Sequence, residues 1–227
     1  MKKRKAIGPV NLLLLVSAVG LLLFSGIGGA RAAMNYLSEQ AALRSESGDI
    51  DVELRENGKK VPDGTLLSGM EEAIQPGRAY EEELTVHNSG DQDEYVRVTL
   101  YRCWTVGRKR QTTLSPELID PGTPGKFWTE DPDASTAERT VYYYTQPLAP
   151  GETTEPLFET LTIRPDVLSS VTLSEDGKAA TYDYNDVSFL VRVEADAVQT
   201  HSAEDAILSA WGVHMTADKS GALSLKQ

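Results

Sequence analysis

An antiparallel β-sandwich with one or two short helices is the fold class this sequence predicts, and three observations carry it. Several segments alternate apolar and polar residues with a period of two, which puts one side of each strand in a core and the other toward water. Turn-forming residues separate these segments, and clear helical periodicity is confined to one stretch near the C terminus. Many short strands with turn signals and few helices favour a sandwich over an enzyme fold in which strands and helices alternate.

The chain starts with a basic cluster, Lys2, Lys3, Arg4 and Lys5, followed by an apolar run from Val10 to Phe24 and small residues ending in Ala30-Arg31-Ala32. That order is the layout of a secretory signal, with a positive n-region, a short h-region expected to be helical and an A-x-A cleavage pattern. Residues 1–32 are therefore expected to form a signal peptide, with Ala30, Ala32 and Ala33 at the cleavage site and a mature protein starting near Ala33. The alternative is an uncleaved anchor, since Leu12 to Phe24 crosses a bilayer if tilted and extended by the later glycines. The short run and the small-residue site directly behind it favour cleavage. Membrane contact is then expected only through the leader, and the destination is extracellular matrix or cell surface.

Five of the 22 Lys+Arg and none of the 34 Asp+Glu lie in residues 1–31, so the chain beyond the leader carries a net charge of about −17. No basic nucleic-acid footprint is present. Such acidity keeps an exported chain soluble and repels it from anionic surfaces, while leaving calcium or a cationic partner as options. Removing the leader leaves about 195 of the 227 residues, enough for one substantial core. Cys103 is the single cysteine, so no intramolecular disulfide can form and stability must come from packing. Beside Trp104 in an alternating stretch, Cys103 reads as a small buried hydrophobe rather than a nucleophile.

Residues 33–48 form a mature N-terminal segment ahead of a sandwich domain at 49–227; Ser38 to Ser47 is mixed in pattern and reads as helix, linker or strand. The clearest strands are Ile50 to Leu54, Tyr80 to Val86 and Tyr95 to Tyr101, followed by Thr140 to Thr145, Leu157 to Ile163 and Val187 to Ala195. Glu56-Asn57-Gly58-Lys59 offers an Asn-Gly pair able to take positive φ, and Asn88-Ser89-Gly90-Asp91 closes the next run. Pro147 and Pro150-Gly151 forbid a helix before the strand at Leu157. A long surface excursion is expected near 107–138, where Pro116, Pro121, Pro124 and Pro132 interrupt any period. Ala203 to Trp211 places Ala206, Ile207, Ala210 and Trp211 at helical spacing, with Ser202 as a cap and Gly212 as a stop. Asp166 to Ser170 reads as a further helical turn, and Ser174 to Lys178 as an exposed one.

Sites of chemistry are sparse. The histidines are His87, His201 and His214, with no H-E-x-x-H that would set two imidazoles on one helix face beside a carboxylate base. Glu81-Glu82-Glu83, Asp91-Gln92-Asp93-Glu94 and Asp131 with Asp133 read as solvated strand faces or loops, and the second lacks the full EF-hand pattern. Metal is left unassigned, and no cofactor and no catalytic residue are expected. In Tyr142-Tyr143-Tyr144 the outer two share one strand face, so one side packs in the core and the other stays near solvent. Arg108-Lys109-Arg110 is a compact basic turn, either solvated or able to meet an acidic neighbour in an assembly.

The junction Gly28-Gly29-Ala30-Arg31-Ala32, Ile74-Gln75-Pro76-Gly77 before a strand, and Val86-His87-Asn88-Ser89-Gly90 leading to Tyr95-Val96-Arg97-Val98 form an ordered pattern. It continues through Tyr142-Tyr143-Tyr144, Pro147-Leu148, Pro150-Gly151-Glu152-Thr153-Thr154, Pro156-Leu157-Phe158 and Val191 to Gln199. In that order these residues resemble the TasA/camelysin family of exported Gram-positive surface and biofilm-matrix proteins. The resemblance implies a jelly-roll-like sandwich, processing by a dedicated signal peptidase, and polymerisation in which an N-terminal segment of one subunit supplies a strand to the next. The candidate donor strand is Ala33, Met34, Asn35, Tyr36 and Leu37; its plain alternative is a frayed terminus. The implied partners are further copies of the chain and an accessory or anchoring surface protein. Two other functions stay open: a monomeric adhesin or fibre accessory module, and a camelysin-like secreted metallopeptidase, which would require zinc.

Overall fold

The computed structural model of the protein describes residues 49–67, 75–173, 180–182 and 187–226. The expected leader, its cleavage residues Ala30, Ala32 and Ala33, the candidate donor Ala33 to Leu37 and the turn expected at Ser174 to Lys178 lie outside the described residues. In chain order the strands are β1 (Val52–Glu56), β2 (Lys59–Lys60), β3 (Ala79–Asn88), β4 (Glu94–Val106), β5 (Lys109–Gln111), β6 (Ile119–Asp120) and β7 (Trp128–Glu130). They continue with β8 (Arg139–Tyr144), β9 (Phe158–Ile163), β10 (Val171–Leu173), β11 (Ala180–Tyr182) and β12 (Ser188–Gln199). Helix α1 (Ala203–Trp211) and the strands β13 (Met215–Ala217) and β14 (Leu223–Leu225) close the order.

The protein is mainly β, and its strand pairings are antiparallel. One sheet runs β2-β1-β3-β9-β6; the other runs β12-β4-β8-β7, with β5 folded back on β4. The longer strands form where the sequence alternates: in β3, Tyr80, Glu82, Leu84, Val86 and Asn88 are buried, while Ala79, Glu81 and Glu83 are exposed. The β1–β2 hairpin is made by Asn57 and Gly58, both at positive φ (50° and 76°), as a two-residue primed turn requires. Strand β3 ends where the Asn88 amide donates to the Leu148 and Gln92 carbonyls and its Oδ1 accepts from the Gly90 N–H.

Buried side chains from both sheets meet in one core, including Leu84 and Val86 of β3, Val96 and Val98 of β4, Leu161 of β9 and Val193 of β12. The opposite face of the second sheet carries a smaller core. There Tyr95, Val141, Tyr143 and Val198 are covered by Ala203 and Ile207 of α1 and by Met215 and Leu223 of the β13–β14 hairpin. Helix α1 spans the residues its periodicity predicts and ends at Gly212 in the left-handed region (φ 72°). Ser202 occupies the cap position, but at φ 51° its hydroxyl makes no capping bond.

Four expectations are corrected. Tyr143 is not near solvent: α1 covers the second face of β8, and all three tyrosines of 142–144 are buried. The stretch from Gln111 to Ala137 is more than a surface excursion, because Leu114, Ile119 of β6 and Trp128 of β7 drop into the main core. Period-two alternation needs a run of residues to be visible, and strands of two or three residues supply none. Cys103 is half-buried rather than buried, since it points to the uncovered part of the outer face. Finally, Glu82, Glu94 and Asp131 are not solvated: the two glutamates stand at inward positions of their strands and are buried, and the buried Asp131 carboxylate accepts from the Asp133 and Ala134 N–H groups and the Tyr143 hydroxyl.

Candidate strand-acceptor edge

An open sheet edge presents unpaired N–H and C=O groups, and native proteins blunt such edges with short strands, lysine or proline. Among the described residues, three of the four strands that end the two sheet orders are blunted in that way. β2 is only Lys59–Lys60 and runs into Pro62; β6 is two residues followed by Pro121; β7 ends at Asp131-Pro132. The fourth edge, β12, is 12 residues long and contains no proline.

Its first half is covered by the chain itself. The Leu66 N–H donates to the Val191 carbonyl (3.0 Å), and the Val193 N–H donates to the Gly64 carbonyl (2.7 Å). The same strap reaches the other sheet, where the Val61 N–H donates to the Leu54 carbonyl (2.9 Å). Gly64 makes this crossing possible: it sits at φ 67°, and a Cβ there would lie 2.1 Å from the Val193 carbonyl oxygen. Because Val191 and Val193 point their backbone groups away from β4, the alternation of an antiparallel ladder turns those of Ala195, Ala197 and Gln199 the same way. Among the described residues no backbone bond meets Ala195 or Ala197 from that side.

Beside this free half-edge lies the open flank of the sandwich, a groove of about 400 Å³ between β1 and β12. Val52, Leu54, Val193 and Ala195 line it, and Val52, Leu54 and Ala195 are half-buried side chains packed against the main core. Its rim is charged. Lys60 bonds Glu53 (2.6 Å) and holds that carboxyl below its ordinary range, while Arg192 pairs with Glu194 (3.4 Å) and Arg97 with Asp196 (2.8 Å). An apolar floor, charged lips and a row of free backbone groups are what an added strand needs, with main-chain bonds supplying affinity and alternate side chains filling the floor.

The other sequence-derived candidates do not converge on a reaction centre. His87 faces Thr153 (3.0 Å) on β3, while His201 precedes α1 and His214 follows it; among the described residues no three His, Cys, Asp or Glu side chains are grouped to hold a metal. Asp91 is used structurally, accepting from the Asp49 N–H (2.6 Å). Arg110 of the basic turn pairs with Glu138. Burial pushes the Glu94 carboxyl up to about 8, with the Asp51 charge adding to it, and neither carboxyl oxygen has a partner. Burial likewise pushes Glu82 up to about 8, assisted by a carboxyl–carboxyl bond to Glu56, whose Oε1 also accepts from the Leu67 N–H. Sequence reasoning missed both groups; their even-numbered places in alternating strands were the available signal. The β12 edge was partly visible as the closing strand, but which side of it stays open depends on Val61–Leu66, whose Gly64 and Pro62 gave no hint of a strap.

Among the described residues no helix is long and apolar enough to cross a membrane. Comparison with family models, with curated proteins and with solved structures found no match to this chain.

Proposed function

We propose that this protein is an exported structural subunit that assembles into surface or matrix fibres, each copy lending an N-terminal strand to the open edge of the next. The observation that carries the reading is the free half-edge Ala195 to Gln199, five residues without proline beside an apolar flank, whereas the other terminal strands of the two described sheets, β2, β6 and β7, are short. The candidate donor Ala33 to Leu37 matches it in length, and Met34 and Tyr36 would share one face of an extended strand, turned to the groove floor. Donor and acceptor are different surfaces, so the contact is heterologous and propagates unless rotation closes a ring. Leader cleavage outside the cell would free the donor only where assembly is wanted. The jelly-roll-like form of the sandwich belongs to the same reading. It is supported by the chain passing between the sheets from β3 to β4, from β5 to β6, from β6 to β7 and from β8 to β9, the repeated crossing of a Greek-key roll.

The test uses protein starting at Ala33, a form lacking Ala33 to Ser38, and Ala197→Pro in the full-length mature chain. The Ala197 N–H faces away from β4, so proline there removes a donor from the free edge without breaking the sheet. Electron microscopy should show filaments from the first protein and monomers from the other two, with unchanged far-UV circular dichroism. Filaments of normal length from either variant would reject strand donation to this edge.

A further inference from the structure

We propose that the outer face of the second sheet binds a neutral oligosaccharide, independently of any assembly at the β12 edge. A groove of about 1130 Å³ runs along β4 on this face. Thr99, Tyr101 and Val141 form its floor. The turn from Asp131 to Ala134 and Arg139 stand on one side, Glu194 and Asp196 on the other, and Trp211 closes the end.

Register explains the arrangement. Across the strands, Asp196, Arg97 and Tyr143 form one rung, Glu194, Thr99 and Val141 the next, and Arg192, Tyr101 and Arg139 the third. From Arg97 to Tyr101 the strand takes four steps, or about 13 Å, long enough for a short sugar chain. Trp211 is fixed in place, tilted against Tyr143 (5.4 Å between centroids) with the Arg97 guanidinium 5.3 Å from its ring centre. The Tyr143 hydroxyl is anchored on Asp131 (3.3 Å), and burial pushes it up to about 12, so it remains a donor at any physiological pH. Tyr101 is left as the open aromatic, 36% exposed between two arginines.

The chemistry of the walls selects the ligand class. Glu194 and Asp133 offer acceptors, and the Arg97 and Arg139 guanidiniums keep N–H groups beyond those bound to Asp196 and the Ala134 carbonyl, so a ligand must offer both kinds of partner at short intervals, as vicinal hydroxyls do. An open tyrosine face suits the apolar face of a pyranose ring. An anionic sugar would meet Glu130, Asp131, Asp133, Glu194 and Asp196, with the Arg97 charge already paired with Asp196. A bare cation finds no group of three acidic ligands among the described residues. An apolar peptide would bury the charged walls without pairing them.

Calorimetric titration of the full chain with cellohexaose and with hexa-N-acetylchitohexaose, both uncharged, tests this directly. Binding of at least one probe is expected in the range of about 10 μM to 1 mM, weakened about tenfold by Tyr101→Ala and several-fold by Glu194→Gln. Leu168→Ala, at an exposed position outside the groove, should leave affinity unchanged. Binding of only one probe assigns the sugar type and supports the proposal. No heat with either probe at about 10 mM, or binding that survives both groove substitutions, overturns it.

Discussion

Glu94, through its buried carboxyl, makes the stability of this fold depend on pH. It is fully buried and neither oxygen has a partner, so its carboxyl keeps its proton up to about 8 in the folded chain, against 4.5 as its ordinary value. Below 4.5 both folded and unfolded chains hold the proton and this group adds no pH dependence. Between 4.5 and about 8 only the folded chain holds it, so folding takes up a proton and stability falls as pH rises; above about 8 the loss is complete. Glu82 acts in the same direction over the same window. Urea melts should therefore show a midpoint that declines from pH 5 to pH 8. Glu94→Met fills the same space without a polar group, and is expected to shrink that decline and to stabilise the fold at pH 7 by about 1–3 kcal/mol. A midpoint independent of pH would refute the assignment. Neither glutamate was read as a buried acid, because an acidic residue in an alternating strand normally marks the solvent side; their places on the same strand faces as Leu84 and Val86 and as Val96 and Val98 were the one signal against that reading.

At the scale of elements, two devices decide which parts of the sandwich are closed. The strap Val61–Leu66 seals the first half of the β12 edge, and Gly64→Ala would drive a methyl into the Val193 carbonyl at a positive φ. A loss of about 1–3 kcal/mol is expected in chemical denaturation, with increased amide exchange at Leu66 and Val193. Full protection at both amides would show that the strap is held by other means. Helix α1 seals the outer face through Ile207, which is wholly buried beneath it. Ile207→Ala should cost about 2–5 kcal/mol, and hydrogen exchange should locate the loss in α1 and β13–β14 before it appears in the main core. The main elements were readable from sequence: β3, β8, β9 and α1 fall within two residues of where alternation, prolines and glycines put them, while β4 and β12 start within one residue of where expected but run on to Val106 and Gln199, five and four residues past their expected ends. β6 and β7 were not, because strands this short are defined by the partner they meet rather than by their own pattern. The same reason hid the outer-face groove, whose rungs combine residues from β12, β4 and β8 that only the register brings together.

The whole molecule is acidic, with 34 Asp+Glu against 22 Lys+Arg and a net charge of −12 for the full chain. Like-charged subunits repel, and that repulsion reaches about 30 Å at 0.01 M salt but only about 8 Å at 0.15 M. Backbone bonds along the Ala195 to Gln199 edge and burial of side chains over Val52 and Leu54 are short-range and little affected by salt over this interval. If strand donation drives assembly, the two terms separate cleanly: salt removes the repulsion and leaves the attraction. Fibre growth by the protein starting at Ala33, followed by light scattering, should therefore accelerate as sodium chloride rises from about 0.01 to 0.15 M and then level off. Ala197→Pro should stay silent at every salt concentration, since screening cannot restore a missing edge donor. Growth that slows as salt rises would instead make opposite-charge contacts the driving term. The basic turn Arg108-Lys109-Arg110 would then be the place to look for them, because it is the compact cationic feature on an otherwise anionic subunit.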